Sequence, residues 1–215
     1  SEGCYYEAGH VLGSATISIN IRQDGQSHRV IFSGDIGEPH RPIINDPTLF
    51  NEAAYVVIEA TYGERTHEEH ENIDIQKQLR DCINRAVSAG GNIIIPSFAL
   101  ERSQELLYHL NELFLLKEIP PLIVFLDSPM ATRITEVFKR HAELFDKEMM
   151  QRLSQGNSFF SFENLKIIQS TEESKAINNI KGSSIIIAGS GMLTGGRIKH
   201  HIINNITRAE STILF

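Results

Sequence analysis

The 215-residue chain lacks several features that would assign it to a narrow class of protein. No apolar run is long enough to cross a bilayer, because the longest, such as 122–126 and 185–188, fall far short of the roughly 20 residues that a membrane helix needs. The two cysteines, Cys4 and Cys82, are too few for a disulfide framework. They favour a reducing compartment, so the sequence predicts a cytoplasmic protein without a membrane partner.

Positive charge is also scarce. Twenty Lys and Arg residues face 27 Asp and Glu residues, which gives a formal net charge of −7 with nine histidines counted as neutral. Proteins that grip nucleic acid mainly through the phosphate backbone are usually basic. This charge balance argues against non-specific binding of nucleic acid over a broad part of the protein surface. A nuclease of this composition would concentrate its positive charge in one cleft or use a metal ion.

The pattern of apolar residues changes near Gly63. Before it, the alternation over 16–21 and the turn Asp24-Gly25 predict a β-hairpin. After it, helical segments alternate with short apolar strands, which predicts βαβ units and a parallel sheet flanked by helices, an α/β fold. We therefore predict two domains, 1–62 and 63–215. The predicted helices cover 73–88, 99–116, 130–141, 143–153, 172–179 and 197–206, and the predicted strands after Gly63 cover 92–95, 122–126, 165–168, 184–188 and 212–215.

Three candidate functional residues lie where a predicted strand meets a glycine-rich turn. They are His10 in AGHVLGSA, Asp35 in FSGDIG and Glu59 in IEATYG. Such positions let a rigid scaffold present metal ligands and acid–base groups. On spacing alone each has a structural alternative. A lone loop histidine is often a surface or core residue, Asp35 is typical of a turn, and Glu59 is a strand-end carboxylate that needs a partner.

In this order the three strings resemble the later motifs of the metallo-β-lactamase-fold nucleases of the β-CASP family. The resemblance implies that His10 binds one of two zinc ions and that Asp35 bridges both. It also implies that Glu59 is the catalytic acidic residue that hydrogen-bonds a histidine of a later motif. The family's first metal motif, HxHxDH, is not found in these residues, and the later motif is expected beyond Phe215. We therefore expect a truncated chain, a partial metallo-β-lactamase fold plus a β-CASP domain, that does not retain zinc tightly.

A second resemblance to the β-CASP family lies in PSFALERSQELL, which follows a predicted strand and opens a helix. Ser97 is a reasonable N-cap, and a helix N-terminus favours phosphate. The family commonly has glycine where Glu101 stands, and this departure weakens the expectation of close backbone–phosphate contact. Arg102 remains a candidate phosphate contact.

The string SGMLTGGR follows another buried strand and also resembles the family, in its RNA-processing branch. The resemblance implies that Ser190, Gly191 and Arg197 bind RNA phosphate. The string lacks the GxxxxGK[ST] pattern of a nucleotide-binding loop, so ATP binding is not expected. The segment DSPMA, residues 127–131, is a weaker match of the same kind.

The remaining histidines give no metal motif. His67 and His70 share a helix face, but the HExxH pattern needs a histidine where Glu71 stands, which excludes the zinc-protease motif. Of the pair His200-His201, at least one is expected to face solvent or cap a helix.

The combined prediction is a zinc-dependent ribonuclease, an exonuclease or an endonuclease, that hydrolyses phosphodiester bonds of single-stranded RNA. A homo-oligomer is expected because the N-terminal strands would leave unpaired edges. Two alternatives stay open. One is a non-catalytic RNA-binding or scaffolding homologue that has lost the metal site, and the other is a phosphodiesterase of the same fold that acts on DNA or a small ester.

Overall fold

The computed structural model describes residues 1–64, 74–156 and 158–215. The chain divides into two compact units, which we call the N-terminal unit (Ser1–Glu71 with His141–Asn157) and the C-terminal unit (Asn72–Arg140 with Ser158–Phe215). The predicted domain boundary at Gly63 remains a prediction. The predicted pair His67 and His70 lies outside the described residues.

Nine strands and six α-helices follow one another among the described residues. The strands are β1 (Glu2–Glu7), β2 (Ala15–Gln23), β3 (Gln26–Phe32), β4 (Tyr55–Val57), β5 (Ile93–Pro96), β6 (Ile123–Asp127), β7 (Leu165–Ile167), β8 (Ser184–Ala188) and β9 (Thr212–Ile213). The helices are α1 (Ile75–Ala89), α2 (Arg102–Leu115), α3 (Pro129–Arg140), α4 (Lys147–Ser154), α5 (Thr171–Ala176) and α6 (Ile198–Asn205), with short 3-10 turns at Ala142–Leu144 and Ile177–Asn179. Within the described parts of the chain, no helix combines the length and apolarity needed to cross a membrane.

The N-terminal unit contains a four-stranded sheet in the order β1-β2-β3-β4. The first two pairings are antiparallel, and β4 adds to β3 in parallel. The predicted hairpin between β2 and β3 is present, and its two turn residues Asp24 and Gly25 have positive φ angles of 52° and 79°. A two-residue turn of this kind matches the twist of the strands that it joins, so it sets the register Gln23 opposite Gln26.

The C-terminal unit contains a five-stranded sheet in the order β7-β6-β8-β5-β9, and every pairing is parallel. Strands β5 and β8 are buried along their whole length, as their runs of isoleucine predicted. Helix α1 buries a stripe at helical spacing, and this stripe consists of Leu79, Cys82, Ile83 and Ala86. The predicted α/β fold is therefore confirmed, with helices flanking a parallel sheet.

One buried asparagine joins the amino ends of three neighbouring strands. The Asn92 side-chain oxygen accepts hydrogen bonds from the backbone N–H and the hydroxyl of Ser184, both at 3.1 Å. Its amide donates to the Asn205 side chain at 3.0 Å, and its backbone carbonyl accepts from the Thr212 N–H at 2.8 Å. We call these four residues the amino-end clamp. It fixes the starts of β5, β8 and β9 relative to one another.

Helix α2 begins three residues later than predicted. Glu101 has φ 64° and ψ −63°, a left-handed conformation that non-glycine residues seldom adopt. The Arg102 N–H donates to the Leu100 carbonyl at 2.8 Å, which closes a tight γ-turn around Glu101. This turn separates 99–101 from the helix. Because glycine adopts a positive φ at no steric cost, the turn also explains why glycine would suit the position that Glu101 occupies.

Candidate functional site

The loops that carry His10 and Asp35 lie directly against each other in the N-terminal unit. A Cβ atom on Gly37 would lie 1.6 Å from the Gly9 carbonyl oxygen, so only glycine fits at position 37. The Gly37 N–H donates to the Ala8 carbonyl at 2.9 Å. The two glycine-rich strings are therefore needed for backbone contact between the loops as well as for turning the chain.

This contact brings the two predicted metal ligands together. His10 Nε2 lies 4.0 Å from Asp35 Oδ2, and their side chains are 43% and 73% exposed. The Ser14 hydroxyl supports the His10 loop by accepting hydrogen bonds from the backbone N–H groups of His10 and Val11, at 3.1 and 3.2 Å. An imidazole and a carboxylate at this spacing are donors that suit zinc. Within 1–64, 74–156 and 158–215, no group of three or more His, Cys, Asp and Glu side chains is arranged to hold a metal ion, so His10 and Asp35 form a pair.

Glu59 joins the same loops through its carboxylate. Its Oε1 accepts a hydrogen bond from the Ile36 N–H at 2.6 Å, and its Oε2 accepts one from the Thr61 hydroxyl at 2.5 Å. The hydrogen bond from Thr61, then that from Ile36, and the nearby His10 hold the pKa of Glu59 below its ordinary value. The structure therefore places an ionised carboxylate next to the Asp35 loop. Its predicted catalytic role remains a prediction.

A cavity of about 390 Å³ lies at the carboxyl ends of β5, β6 and β8 in the C-terminal unit. We call it the carboxyl-end cavity. Ligands of open parallel sheets bind outside this edge, so its position favours a binding function. It includes three of the predicted RNA-binding residues, Ser97, Ser190 and Arg197. Its lining consists of residues 97–99, 127–130, 189, 190, 196 and 197.

The first residue of the DSPMA segment, Asp127, is a buried carboxylate at this cavity, and the sequence predicted no role for it by itself. Asp127 ends β6 and is fully buried. It accepts hydrogen bonds from Arg197 Nη1 at 2.6 Å, His201 Nε2 at 2.7 Å and the Ser174 hydroxyl at 2.5 Å. Burial alone would raise its pKa, but the hydrogen bonds from His201, Ser174 and Arg197 hold the pKa of Asp127 below its ordinary value. We call these four residues the Asp127 cluster.

The Asp127 cluster orients Arg197. A second guanidinium nitrogen, Nη2, donates to the Gln169 carbonyl at 3.2 Å, so protein partners hold the group on two sides. Ser190 lies nearby in sequence, with its hydroxyl 3.3 Å from that of Thr194. Both residues line the carboxyl-end cavity. Their predicted contact with phosphate remains a prediction. Of the histidine pair, His201 is buried in the cluster and His200 is exposed, as expected for one of the two.

The predicted N-cap role of Ser97 is wrong. Ser97 is buried, and its hydroxyl lies 3.0 Å from that of Ser103 instead of capping a free N–H of α2. The γ-turn around Glu101 places Ser97 too far ahead of the first helical turn, and α2 begins without a side-chain cap. Arg102 is half-exposed and donates to the Glu105 carboxylate at 2.9 Å. It remains a candidate contact for phosphate.

Comparisons with known proteins identify the family of this chain. The model of the Beta-Casp domain matches residues 103–215, which is more than half of the chain. The chain is 34% identical over 209 residues to Ribonuclease TTHA0252 of Thermus thermophilus, covering 97% of this chain and 47% of that protein. It is 30% identical over 214 residues to the transcription termination factor FttA of Methanosarcina mazei, covering 98% of this chain and 33% of that protein. It is 29% identical over 201 residues to endoribonuclease YSH1 of Kluyveromyces lactis, covering 89% of this chain and 24% of that protein.

A sheet that presents a histidine and an aspartate from adjoining glycine loops, together with a parallel α/β unit, defines a partial metallo-β-lactamase fold with a β-CASP domain. The chain belongs to the β-CASP family of metallo-β-lactamase-fold proteins. It spans about half or less of the length of these relatives.

Proposed function

We propose that this protein is a zinc-dependent ribonuclease that hydrolyses phosphodiester bonds of single-stranded RNA. The observation that carries the proposal is the convergence of His10, Asp35 and Glu59 on adjoining loops of the N-terminal unit. The names of two relatives, Ribonuclease TTHA0252 and endoribonuclease YSH1, support it.

In this proposal, His10 and Asp35 hold the metal. A metal ion held there would supply the means to activate a water molecule and to neutralise charge on the phosphodiester oxygens. Glu59 contributes an ionised carboxylate whose two oxygens are fixed by the Ile36 N–H and the Thr61 hydroxyl. An ionised, oriented carboxylate accepts a hydrogen bond from an imidazole. Glu59 would therefore position a histidine that donates a proton to the leaving oxygen.

The C-terminal unit is proposed to bind the RNA strand. Arg197 and Ser190 line the carboxyl-end cavity. The half-exposed guanidinium of Arg102, which is paired with Glu105, lines a neighbouring cavity together with Gly191 and would contact phosphate there. Ser97 would contribute by holding the loop, since its own hydroxyl is buried. The net charge of −7 is unfavourable for a polyanion, so binding should be weak and sensitive to salt.

The metal proposal has a measurable consequence for the 215-residue chain by itself. Zinc sites normally use at least three protein ligands, and His10 and Asp35 are two. We therefore expect purified, dialysed chain to contain much less than one zinc per molecule by elemental analysis. Stoichiometric zinc would contradict this expectation and would show that other side chains complete the site.

Cleavage of a labelled single-stranded RNA tests the proposed activity. The assay compares the 215-residue chain with any longer protein that contains it, with zinc or manganese added, on RNA and on DNA of matched sequence. We expect the 215-residue chain to bind RNA weakly and not to cut it. A longer protein should cut RNA, and Asp35→Ala should abolish cleavage. Asp24→Asn, which also removes a carboxylate but keeps a residue type that accepts the positive φ of the hairpin turn, should leave cleavage unchanged.

Two outcomes would replace the proposal. RNA binding without metal-dependent cleavage by the longer protein would favour a non-catalytic RNA-binding homologue, a role compatible with the name of the termination factor relative. Equal cleavage of RNA and DNA would favour a less selective phosphodiesterase. We also infer a cytoplasmic protein from the free cysteines Cys4 and Cys82. Self-association is inferred from the exposed edge strand β4.

A further inference from the structure

An exposed phenylalanine lies where two cavities of the C-terminal unit meet. Phe98 follows β5 and is 53% exposed, whereas phenylalanine is among the residue types most often fully buried. It lines the carboxyl-end cavity and also a second cavity of about 360 Å³. The second cavity includes residues of α1, β5 and α2, among them Leu79, Arg102 and Leu106. A single ring therefore borders both spaces.

Phe98 is held in place while its ring stays exposed. A Cβ atom on Gly191 would lie 2.9 Å from Phe98 Cδ2 and 3.0 Å from its Cε2, so the ring rests against bare glycine backbone. The Phe98 carbonyl accepts hydrogen bonds from the hydroxyls of Ser97 at 3.1 Å and Ser103 at 2.6 Å. The contacts fix both the backbone and one side of the ring. This gives the predicted phosphate-binding residue Gly191 a second function, to make room for an aromatic side chain.

Each of the two cavities that Phe98 borders is also lined by an arginine. Arg197 lines the carboxyl-end cavity, where the Asp127 cluster orients it, and Arg102 lines the second cavity. Met130, which is also exposed, adds an apolar surface to the first cavity. Proteins that bind single-stranded nucleic acid combine positive charge along the backbone with aromatic rings on which bases stack. Here an exposed aromatic ring and two arginines, each paired with a carboxylate of its own, border the same two cavities.

We propose that Phe98 is a stacking platform for a base of single-stranded RNA, with Arg197 and Arg102 contacting the phosphates on either side. This inference rests on the proposed RNA-binding function and identifies the part of the substrate that the loop after β5 contacts. Stacking on a phenylalanine does not depend on hydrogen bonds to base edges, so it tolerates every base. The platform would hold the strand without imposing a sequence.

The first experiment separates stacking from phosphate binding. Equilibrium binding to a single-stranded RNA oligonucleotide is compared with binding to an abasic oligonucleotide of the same length, for the parent protein, Phe98→Leu and Phe98→Tyr. Base–aromatic stacking accounts for about 5- to 150-fold in affinity per base. We expect Phe98→Leu to weaken binding to RNA by a factor in this range and to leave binding to the abasic strand unchanged. Phe98→Tyr should keep the affinity of the parent.

The second experiment uses the absence of tryptophan from the chain. Phe98→Trp introduces a single tryptophan whose fluorescence should be quenched by bases that stack on it. Leu116→Trp is the matched control. Leu116 is 60% exposed and caps the other end of α2, about 20 Å along the helix. Titration with RNA should quench the tryptophan at position 98 and leave the tryptophan at position 116 unchanged.

The outcomes distinguish this inference from the function on which it rests. If the parent protein and the longer protein do not bind RNA, the proposed RNA-binding function fails and the stacking platform fails with it. If the parent binds RNA and Phe98→Leu binds equally well, only the stacking platform is overturned. Equal loss on the RNA and the abasic strand would also overturn it, because the ring would then act through the loop and not through a base. Urea unfolding midpoints of the variants provide the check on folding.

Discussion

Replacing Asp127 with asparagine tests the energetic role of the Asp127 cluster. The carboxylate is fully buried and accepts three hydrogen bonds, two of them from the basic residues Arg197 and His201. Removing one partner of a buried ion pair costs about 3–5 kcal/mol, because the other charge is left without compensation. Asparagine keeps the size of the side chain and one accepting oxygen. We therefore expect Asp127→Asn to lower the free energy of unfolding by about 3 kcal/mol, near the bottom of that range.

Urea unfolding monitored by circular dichroism measures this loss. With a slope of about 2 kcal/mol per molar urea, the midpoint should fall by about 1.5 M. The matched control is Asp81→Asn, which removes a carboxylate 3.0 Å from the Arg80 guanidinium at an exposed position. Exposed pairs contribute less than about 1 kcal/mol, so the control should shift the midpoint by less than about 0.5 M.

The pH dependence gives a second measurement of the same residue. The pKa of Asp127 in the folded protein is lower than its ordinary value of about 3.9. Its stabilising contribution is therefore present above about pH 4 and is lost as the pH falls through the folded pKa. The stabilities of the parent and Asp127→Asn should converge under acidic conditions. Equal midpoint shifts for Asp127→Asn and Asp81→Asn, or a difference that persists into acid, would refute this reasoning.

Three further predictions follow from the fold. Gly37→Ala should destabilise the N-terminal unit by more than about 2 kcal/mol, because the added Cβ would collide with the Gly9 carbonyl. The control is Gly3→Ala, whose Cβ would have no neighbouring atom within 4 Å and which should change the urea midpoint little. Glu101→Gly should be more stable than Glu101→Ala by about 1 kcal/mol. Both variants remove the carboxylate and its methylene chain, but only glycine tolerates the positive φ at this position. Equal stabilities in urea would argue against strain at this turn. The exposed edge strand β4 should cause self-association that increases with concentration, and light scattering that shows a monomer over a wide concentration range would contradict this.

The parts of the fold that the sequence predicted are those set by local pattern. The isoleucine runs of β5 and β8 identify buried parallel strands because both faces of such strands are covered. The turn Asp24-Gly25 fixes the hairpin because few residues accept its backbone angles. His10 and Asp35 were predicted as neighbours from the family motifs, and the glycine contact between their loops explains how the fold brings them together.

The features of the fold and of the site that the sequence did not predict depend mainly on contacts between residues far apart in the chain. In the Asp127 cluster, Asp127 contacts Ser174, Arg197 and His201, which follow it in the chain by 47, 70 and 74 positions. No short sequence pattern encodes contacts over such separations. The DSPMA segment identified the position of Asp127, but not its partners Ser174, Arg197 and His201. Strand β1 was missed because its sequence, EGCYYE, has no clear alternation, and its place depends on pairing with β2. The start of α2 was misplaced because a non-glycine residue, Glu101, adopts a left-handed turn.

The amino-end clamp has a consequence for how this domain can change. Its hydrogen bonds hold β5, β8 and β9 at the edge of the sheet opposite the carboxyl-end cavity. These hydrogen bonds align the strands at the edge of the sheet that lies away from the loops at Phe98 and Ser190. The exposed side chains of those loops can therefore vary while the sheet keeps its register. A protein engineer could randomise exposed positions such as Phe98 and Met130 to select new ligands, provided that Asn92 and the Asp127 cluster are left untouched.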